Sequence, residues 1–430
     1  MKVLVINQWS TNKGDRAVLF FVLRELVKNG VENITVSASA PEYWKDKSEF
    51  PDIPIACVPS GWDKSRKKNA GFLTKVIHRV KILLQEKINY PLVRNALIAD
   101  KHPWYLPLIV NKQYLRAVAQ TDLVISSGGH RLTTINTADT VGPQAFDMAV
   151  ALISKKTTVL WSQSIGTFNF KSPKNKLMIQ RILQGVDHIF IRDDASAEEI
   201  RKMNGPLEKV SKTCESVFGL YDVVKTRIKP SLRPQVMGIS IYPSNKKTVA
   251  QYNEYIACIK TLVDHAINSG YRVRFFPMEL EGTDRPCIEA IIDAVEKKEA
   301  CEIVEGFPCT PDHINEISNC RIFVGHKTHS VIFSLVASTP LLAIAYHKKT
   351  EDFMAQFTLS DYCIADAEFG HGRPDPFNAK RLIEIFDRIN MNLNAISEKQ
   401  GEVAIRLCLQ TQQDFAKMIT QLNTGQRNVP

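Results

Sequence analysis

One segment of this 430-residue chain gathers the residue types that move protons and hold anions. It runs R-I-F-V-G-H-K-T-H-S-V-I-F-S-L-V-A-S-T-P-L-L-A-I-A-Y-H-K-K from Arg321 to Lys349. The pattern reads strand, short turn, helix, proline break at Pro340, strand and turn, a complete βαβ unit. Lys327 and His329 fall at the helix start, where free N–H groups and the helix dipole favour an anion. A cation at that end is electrostatically costly unless bound negative charge offsets it, so the pattern points to an anionic substrate. His329 is a candidate proton donor or acceptor, because imidazole titrates near neutral pH; the alternative is a structural histidine. Lys348 and Lys349, after the next strand, add positive charge at the same edge. A metal held by His326, His329 and His347 is disfavoured. H-x-x-H shares a helical face only if the helix includes His326, and no carboxylate of compatible spacing accompanies the three.

Other candidates also sit just after strands. The first strand leads into N-Q-W-S-T-N-K-G-D-R-A. This is not G-x-G-x-x-G, which disfavours a nicotinamide or flavin dinucleotide site; no cofactor is expected. Gly14 permits a tight turn. Asp15, at the helix start, is either an N-cap or a carboxylate that binds or deprotonates a substrate hydroxyl. Residues 122–126 lead into Ser127, Gly128, Gly129 and His130. The two glycines let backbone approach a ligand, or simply make a turn. Ser162 to Gly166 is ambiguous in the same way. Arg192 ends the strand at 187–192, and Asp193 and Asp194 then open a helix. Its guanidinium suits a carboxylate or phosphate, or pairs with one of those two aspartates.

The elements that must position these residues alternate along most of the chain. Short Val- and Ile-rich runs at 2–6, 33–38, 122–126, 157–162 and 187–192 read as buried parallel strands, with a helix from about 17 to 28. Residues 225–235 are basic, carry two prolines and lack periodicity, and so read as a linker. The alternation restarts with strands at 236–241, 271–276, 321–325 and 341–346 and helices across 252–268, 285–298 and 329–338. This predicts an α/β fold of two Rossmann-like doubly wound domains facing across a cleft, residues 1–225 and 236–376, with a helical segment, 377–430, packing back. Ligands bind beyond the carboxyl ends of such strands.

Composition narrows the classes further. Hydrophobic residues make up 44% and charged residues 23%, which excludes disorder, collagen and a disulfide scaffold for the whole chain. The nine cysteines are odd in number and no two form C-x-x-C, so reduced thiols in the cytoplasm are expected. The run after Met1 and Lys2 is too short for a signal peptide, and no stretch of ~18 apolar residues spans a membrane. The formal charge of +10 implies an acidic partner. Residues 64–87 hold eight Lys or Arg and one acid, with an apolar stripe at helical spacing. The segment is either a helix packed on its own domain with a solvated basic face, or an interfacial helix drawn to anionic lipid at the inner face of the membrane. Nucleic acid is disfavoured, since no aromatic stacking ladder accompanies the charges.

Taken together, these segments resemble the bacterial polysaccharide pyruvyl transferase family, particularly its colanic-acid type. N-K-G-D-R-A-V-L resembles the family's N-x-G-D-x-A-I-L element, and D-L-V-I-S-S-G-G its strand ending in three glycines. S-Q-S-I-G-T loosely matches the G-x-G-I-G-P turn, and F-I-R-D-D-A-S resembles V-R-D-x-x-S. H-K-T-H-S-V-I resembles R-L-H-A-x-I, followed by the proline-led strand and a downstream lysine. Two positions depart from the pattern. Lys327 replaces an arginine, so bidentate anion recognition is lost there, and Arg16 stands where an acid often follows G-D.

The resemblance implies a GT-B-like pair of domains, phosphoenolpyruvate as donor, and a pyruvate ketal on a sugar of an exopolysaccharide or capsule repeat unit, free or lipid-linked. It assigns the donor carboxylate to Arg192, the phosphate to Lys327, Lys349 and the helix N-terminus, and protonation of the vinyl carbon to His329. Asp15 would orient the attacking hydroxyl. Two other readings stay open: a GT-B glycosyltransferase using a nucleotide sugar, and a relative that binds glycan precursors without catalysis.

Overall fold

A computed structural model describes residues 1–8, 11–44, 49–50, 53–62, 72–135, 139–243, 248–280, 282, 284–370 and 377–423. The chain forms two compact units. The first comprises residues 1–10, 15–216 and 410–430, the second residues 11–14 and 217–409.

The sheet of the first unit contains β1 (Lys2–Gln8), β2 (Asn33–Ala38), β3 (Ile55–Pro59), β4 (Leu123–Ser126), β5 (Gly129–Leu132), β6 (Thr157–Ile165), β7 (His188–Ile191) and β8 (Val210–Lys212). Their order is β3-β2-β1-β4-β6-β7-β8, with β5 paired to β6. Every pairing is parallel, with β1 running from Val3 opposite Leu123 to Ile6 opposite Ser126 on β4. Parallel pairing demands crossovers that cover both faces, and all four residues of β4 are buried accordingly. The second sheet contains β9 (Val236–Ser240), β10 (Arg272–Phe275), β11 (Cys301–Ile303), β12 (Ile322–Gly325), β13 (Leu341–Ala345) and β14 (Cys363–Ala365), in the order β11-β10-β9-β12-β13-β14. Its pairings are also all parallel. In each sheet the winding reverses between two central strands, β1 and β4 in the first, β9 and β12 in the second. Crevices for ligands open beyond the carboxyl ends at such reversals.

Local chemistry sets several element bounds differently from the sequence expectation. The first helix is Lys13–Lys28, begun four residues early because Asn12 Oδ1 accepts the Gly14 N–H at 2.8 Å. Asn12, and not Asp15, therefore performs the capping. Residues 225–235 are not a free tether. Arg227 donates to the carbonyls of Val336 and Tyr221, and Arg233 to those of Ile228 and Cys320, so their side chains sew the segment into the second unit. The unit boundary lies upstream, after Ser216. The terminal stretch folds as helices Ala379–Met391 and Leu393–Asn423. Phe415 from the last of these enters the core of the first unit. Its ring meets Trp161 edge-on, centroids 4.8 Å apart, and Phe21 at 5.7 Å, while the Trp161 indole N–H donates to Ser216 Oγ at 3.1 Å. Residues 64–71 of the basic segment lie outside the described residues; the remainder forms the helix Phe72–Leu84. Among the described residues, no helix is long and apolar enough to cross a membrane.

One core carboxyl makes stability pH-dependent. Asp147, on the helix Pro143–Ile153, is buried beneath the Ser60–Trp62 turn. Burial pushes its carboxyl up to about 7, against hydrogen bonds from Ser60 and the backbone of Gly61 and Trp62. Between the ordinary 3.8 and about 7 the folded state keeps a proton that the unfolded chain has released. Stability therefore falls as pH rises through that window and levels off above it, by at most about 4 kcal/mol at 1.36 kcal/mol per pK unit. Asp147→Asn abolishes the dependence. Thermal unfolding should show its Tm, relative to the unsubstituted chain, rising by a few degrees between about pH 5 and about pH 8; a constant difference would mean that Asp147 is ionised throughout.

Candidate functional site

At the carboxyl ends of the first sheet, buried amides tie neighbouring strands together. Gln163 donates to the carbonyls of Ser126 at 3.1 Å and Ser127 at 2.5 Å, and Gln8 donates to Ser127 Oγ. Gly128 is required by crowding: a Cβ there would lie 3.0 Å from the Ser162 carbonyl and 3.2 Å from Val18. Gly129 has a φ of +113°, open to glycine alone at low cost. Crowding thus accounts for Gly128 and backbone conformation for Gly129, the first residue of β5.

Charged groups at this edge compensate one another. Asp15 pairs with Arg131. Arg192 donates to Ser164 Oγ at 2.8 Å and pairs with Glu215, which is fully buried. Neither adjacent aspartate is that partner. Asp193 caps the helix Asp194–Lys202 by accepting from Ser196 N at 2.9 Å, and Asp194 meets Lys212 at 2.7 Å. Burial lowers the Arg192 guanidinium to about 10, with Arg131 acting in the same direction and Asp193 and Asp15 opposing. The guanidinium stays cationic at neutral pH, but it is a cation enclosed among acids. Arg131 and Glu215 carry no sequence pattern that would single them out.

In the second unit, residues just past the strand ends line the reversal between β9 and β12. Tyr242 comes after β9, His326 and Lys327 after β12, and Tyr346 after β13. The Tyr242 and Tyr346 rings lie 4.3 Å apart, centroid to centroid. His326 is fully buried, its Nδ1 2.9 Å from the Tyr255 hydroxyl and its Nε2 3.4 Å from Asp366. The Lys327 ammonium is held by Asp284 at 2.8 and 3.0 Å and by Glu279 at 2.8 Å. Burial raises the Asp284 carboxyl above its ordinary value, and Lys327 works against that rise. The negative charge that offsets Lys327 is therefore the protein's own. The expectation that a bound anion must neutralise this lysine does not hold.

The next helix is Thr328–Ala337, so His326 lies outside it and H-x-x-H does not share a helical face. Among the described residues no three His, Cys, Asp or Glu are grouped as metal ligands. His329 occupies the second helical position, and its imidazole fills the space above Gly14. A Cβ on Gly14 would fall 2.1 Å from His329 Nδ1 and 2.2 Å from Cγ. Gly14 is held there by its neighbours. Thr11 accepts from Leu280 N at 2.8 Å, and Asn12 forms a β-bridge with Glu279. Lys13, fully buried, donates from its backbone to Met278 and from its ammonium to the carbonyls of Phe307, at 3.2 Å, and Pro308.

Lys349 sits in the first turn of the helix Lys348–Gln356, capped by His347, whose Nδ1 accepts the Lys349 N–H at 3.2 Å. Burial, and next Lys349, lower the His347 pKa below its ordinary value. Thr328 and Thr350 touch through their hydroxyls at 3.1 Å. That contact sets the N-termini of two helices side by side, each with N–H groups that lack an intrahelical acceptor. The structure thus brings Gly14 to His329, and the His329 turn to the Lys349 turn, while Lys327 is withdrawn into a carboxylate pair.

Comparison with known proteins agrees with this architecture. The chain is similar to the amylovoran biosynthesis protein AmsJ of Erwinia amylovora, 22% identical over 395 residues, which cover 84% of this chain and 87% of that protein. Solved structures that share the fold include the UDP-GlcNAc 2-epimerase from Neisseria meningitidis bound to UDP-GlcNAc, with TM-score 0.55, 14% identity and coverage of 99% of this chain and 100% of that one. Anabaena Alr3699/HepE in complex with UDP also matches, with TM-score 0.55, 13% identity and coverage of 98% and 100%. These likenesses establish a GT-B-type pair of Rossmann-like units. The polysaccharide pyruvyl transferase model matches residues 12–348, from the capping asparagine before Gly14 to the start of the Lys349 helix, and the chain belongs to that family.

Proposed function

We propose that the protein transfers the pyruvyl group of phosphoenolpyruvate to two hydroxyls of a sugar in an exopolysaccharide or capsule repeat unit, forming a ketal. The family and the amylovoran relative support the general reaction. The observation that carries the donor is the pair of adjacent helix N-termini joined through Thr328 and Thr350, with His329 on one and Lys349 on the other. Each helix end contributes roughly half a positive charge, so the two together suit a compact, multiply charged phosphate.

His329 donates a proton to the methylene carbon, which becomes the methyl group, and the ketal carbon turns electrophilic. A first sugar hydroxyl attacks that carbon. The C–O bond to phosphate breaks and a second hydroxyl closes the ring. Of the two hydroxyl protons, one replaces the proton given by His329 and the other leaves with inorganic phosphate. Lys349 and the helix ends hold the phosphate as charge builds on it. In this scheme Lys327, between Asp284 and Glu279, fixes the turn that presents His329. Arg192, enclosed with Glu215, and Asp15, paired with Arg131, lie in the first unit and are assigned no step here. No cofactor enters the scheme. The nine cysteines, all free thiols, suit a cytoplasmic reaction.

Phosphate release that requires both phosphoenolpyruvate and an acceptor glycan, with the ketal detected by mass spectrometry, tests the proposal. His329→Ala should lower kcat by roughly 10²–10⁴-fold, the usual share of general acid–base help, without altering thermal unfolding. Thermal stabilisation by UDP-sugars together with indifference to phosphoenolpyruvate would instead favour a nucleotide-sugar enzyme. Gly14→Ala supplies a geometric check. Its methyl must displace the imidazole, and a misplacement of that size costs on the order of 10²-fold in turnover. In a His329→Ala background the same methyl should cost little more, since the two changes remove one function; full additivity would separate Gly14 from His329.

A further inference from the structure

We infer that the helix Phe72–Leu84 and its continuation Gln85–Asn89 dock the protein on an anionic lipid surface. The helix is turned outward in an unusual sense. Val76, Ile77, Val80, Leu83, Leu84 and Ile88 form one stripe at helical spacing, and all are 40–61% exposed. The opposite face carries His78, Ile82 and Asn89, all half-buried, and Gln85, which is buried. A helix stabilised only by its own domain would reverse this arrangement, because apolar side chains lose most by facing water. Contiguous apolar surface left in water marks an interaction site.

Charge complementarity selects the occupant. Arg79, Lys81 and Lys87 are exposed beside the stripe, and Glu86 is the one acid between residues 72 and 89. Apolar side chains flanked by cations are what a headgroup layer of negative lipids accommodates, the stripe entering the acyl boundary and the cations meeting phosphates. The neighbouring segment adds Trp104 and Leu108, 82% and 74% exposed. It is tied to the same helical run by Asn89 donating to the Ile109 carbonyl at 3.0 Å. Tryptophan is enriched at membrane interfaces for its amphipathic ring. A second copy fits less well, because two-fold pairing through this stripe would set Arg79, Lys81 and Lys87 against their own counterparts. The inference stands apart from the donor chemistry, and its readout does not depend on turnover.

The test is co-sedimentation of the full chain with phosphatidylcholine vesicles, alone or doped with phosphatidylglycerol. Binding to the doped vesicles, weakening as salt is raised, is expected. Val80→Glu with Leu83→Glu should reduce it by roughly tenfold or more, and Arg79→Gln with Lys81→Gln should reduce mainly its salt-sensitive part. Thermal unfolding checks that each variant folds; should the first pair unfold the chain, the second pair, which keeps the stripe, decides. Absence of binding to doped vesicles overturns the inference, as does binding unaffected by either pair. A dimer in sedimentation velocity that Val80→Glu with Leu83→Glu dissolves would also overturn it, by showing that a second copy covers the stripe.

Discussion

Lys327 carries its charge into a place almost closed to water, where Asp284, itself buried, and Glu279 meet it. Most of the second unit's site geometry hangs on that triad. Removing one partner of such a buried pair leaves an uncompensated charge and costs about 3–5 kcal/mol, so the groups are found together or not at all. The triad pins the turn after β12, which sets where the helix Thr328–Ala337 begins and hence where His329 stands. Its other arm reaches further. Glu279 bridges to Asn12, and Asn12 caps the helix whose first turn holds Gly14 against the imidazole. One electrostatic arrangement thereby fixes the histidine from its own helix and from the segment above it.

The same economy governs the first unit. Arg192 is enclosed with Glu215, and Asp15 with Arg131, so the side-chain charges near these strand ends largely cancel. In the second unit the ends of the Thr328 and Lys348 helices contribute backbone partial charge of their own. A neutralised ion pair has little field beyond a few ångströms, whereas the end of a helix keeps its partial charge whatever the side chains do. On the proposed function, an anionic donor is drawn chiefly by two helix ends, and less by the run of cations that marks the segment in the sequence.

Much of the fold is legible in the sequence because burial on both faces forces a recognisable residue choice. β13 is wholly apolar, and β1, β4 and β6 each hold an unbroken run of apolar or β-branched residues, 3–6, 123–125 and 157–161, so each is evident from that pattern alone. β3, β5, β8, β11 and β14 are not. They are three to five residues long, and Val-Ser-Lys or Cys-Glu-Ile offers too few positions for periodicity to register. β5 starts at Gly129, where the glycine pair reads as a turn. His329, Gly14 and Lys349 are visible as residues at strand ends, but the contact of His329 with Gly14 joins segments remote in the chain, and no local pattern encodes it. Glu215, Arg131, Asp284 and Glu279 are invisible for the same reason, since a lone charged side chain announces a partner only once the fold delivers one. The stripe in the helix Phe72–Leu84 is legible as a stripe. Which side of it faces water is a tertiary fact that periodicity cannot hold.

The chain's formal charge of +10 bears on the same question. Composition alone suggests an acidic substrate. At the strand ends, however, Arg192, Arg131 and Lys327 each meet acids, so they add little to any net field there. Eight of the basic residues, against one acid, lie between positions 64 and 87, which accounts for most of the excess. A surplus concentrated on one segment of the sequence acts at a range that salt shortens. On the proposed function, a small dianion held at two helix ends needs no such surplus. The excess charge therefore matches the proposed lipid surface better than the proposed donor, and the two proposals call on different parts of the molecule and different physics.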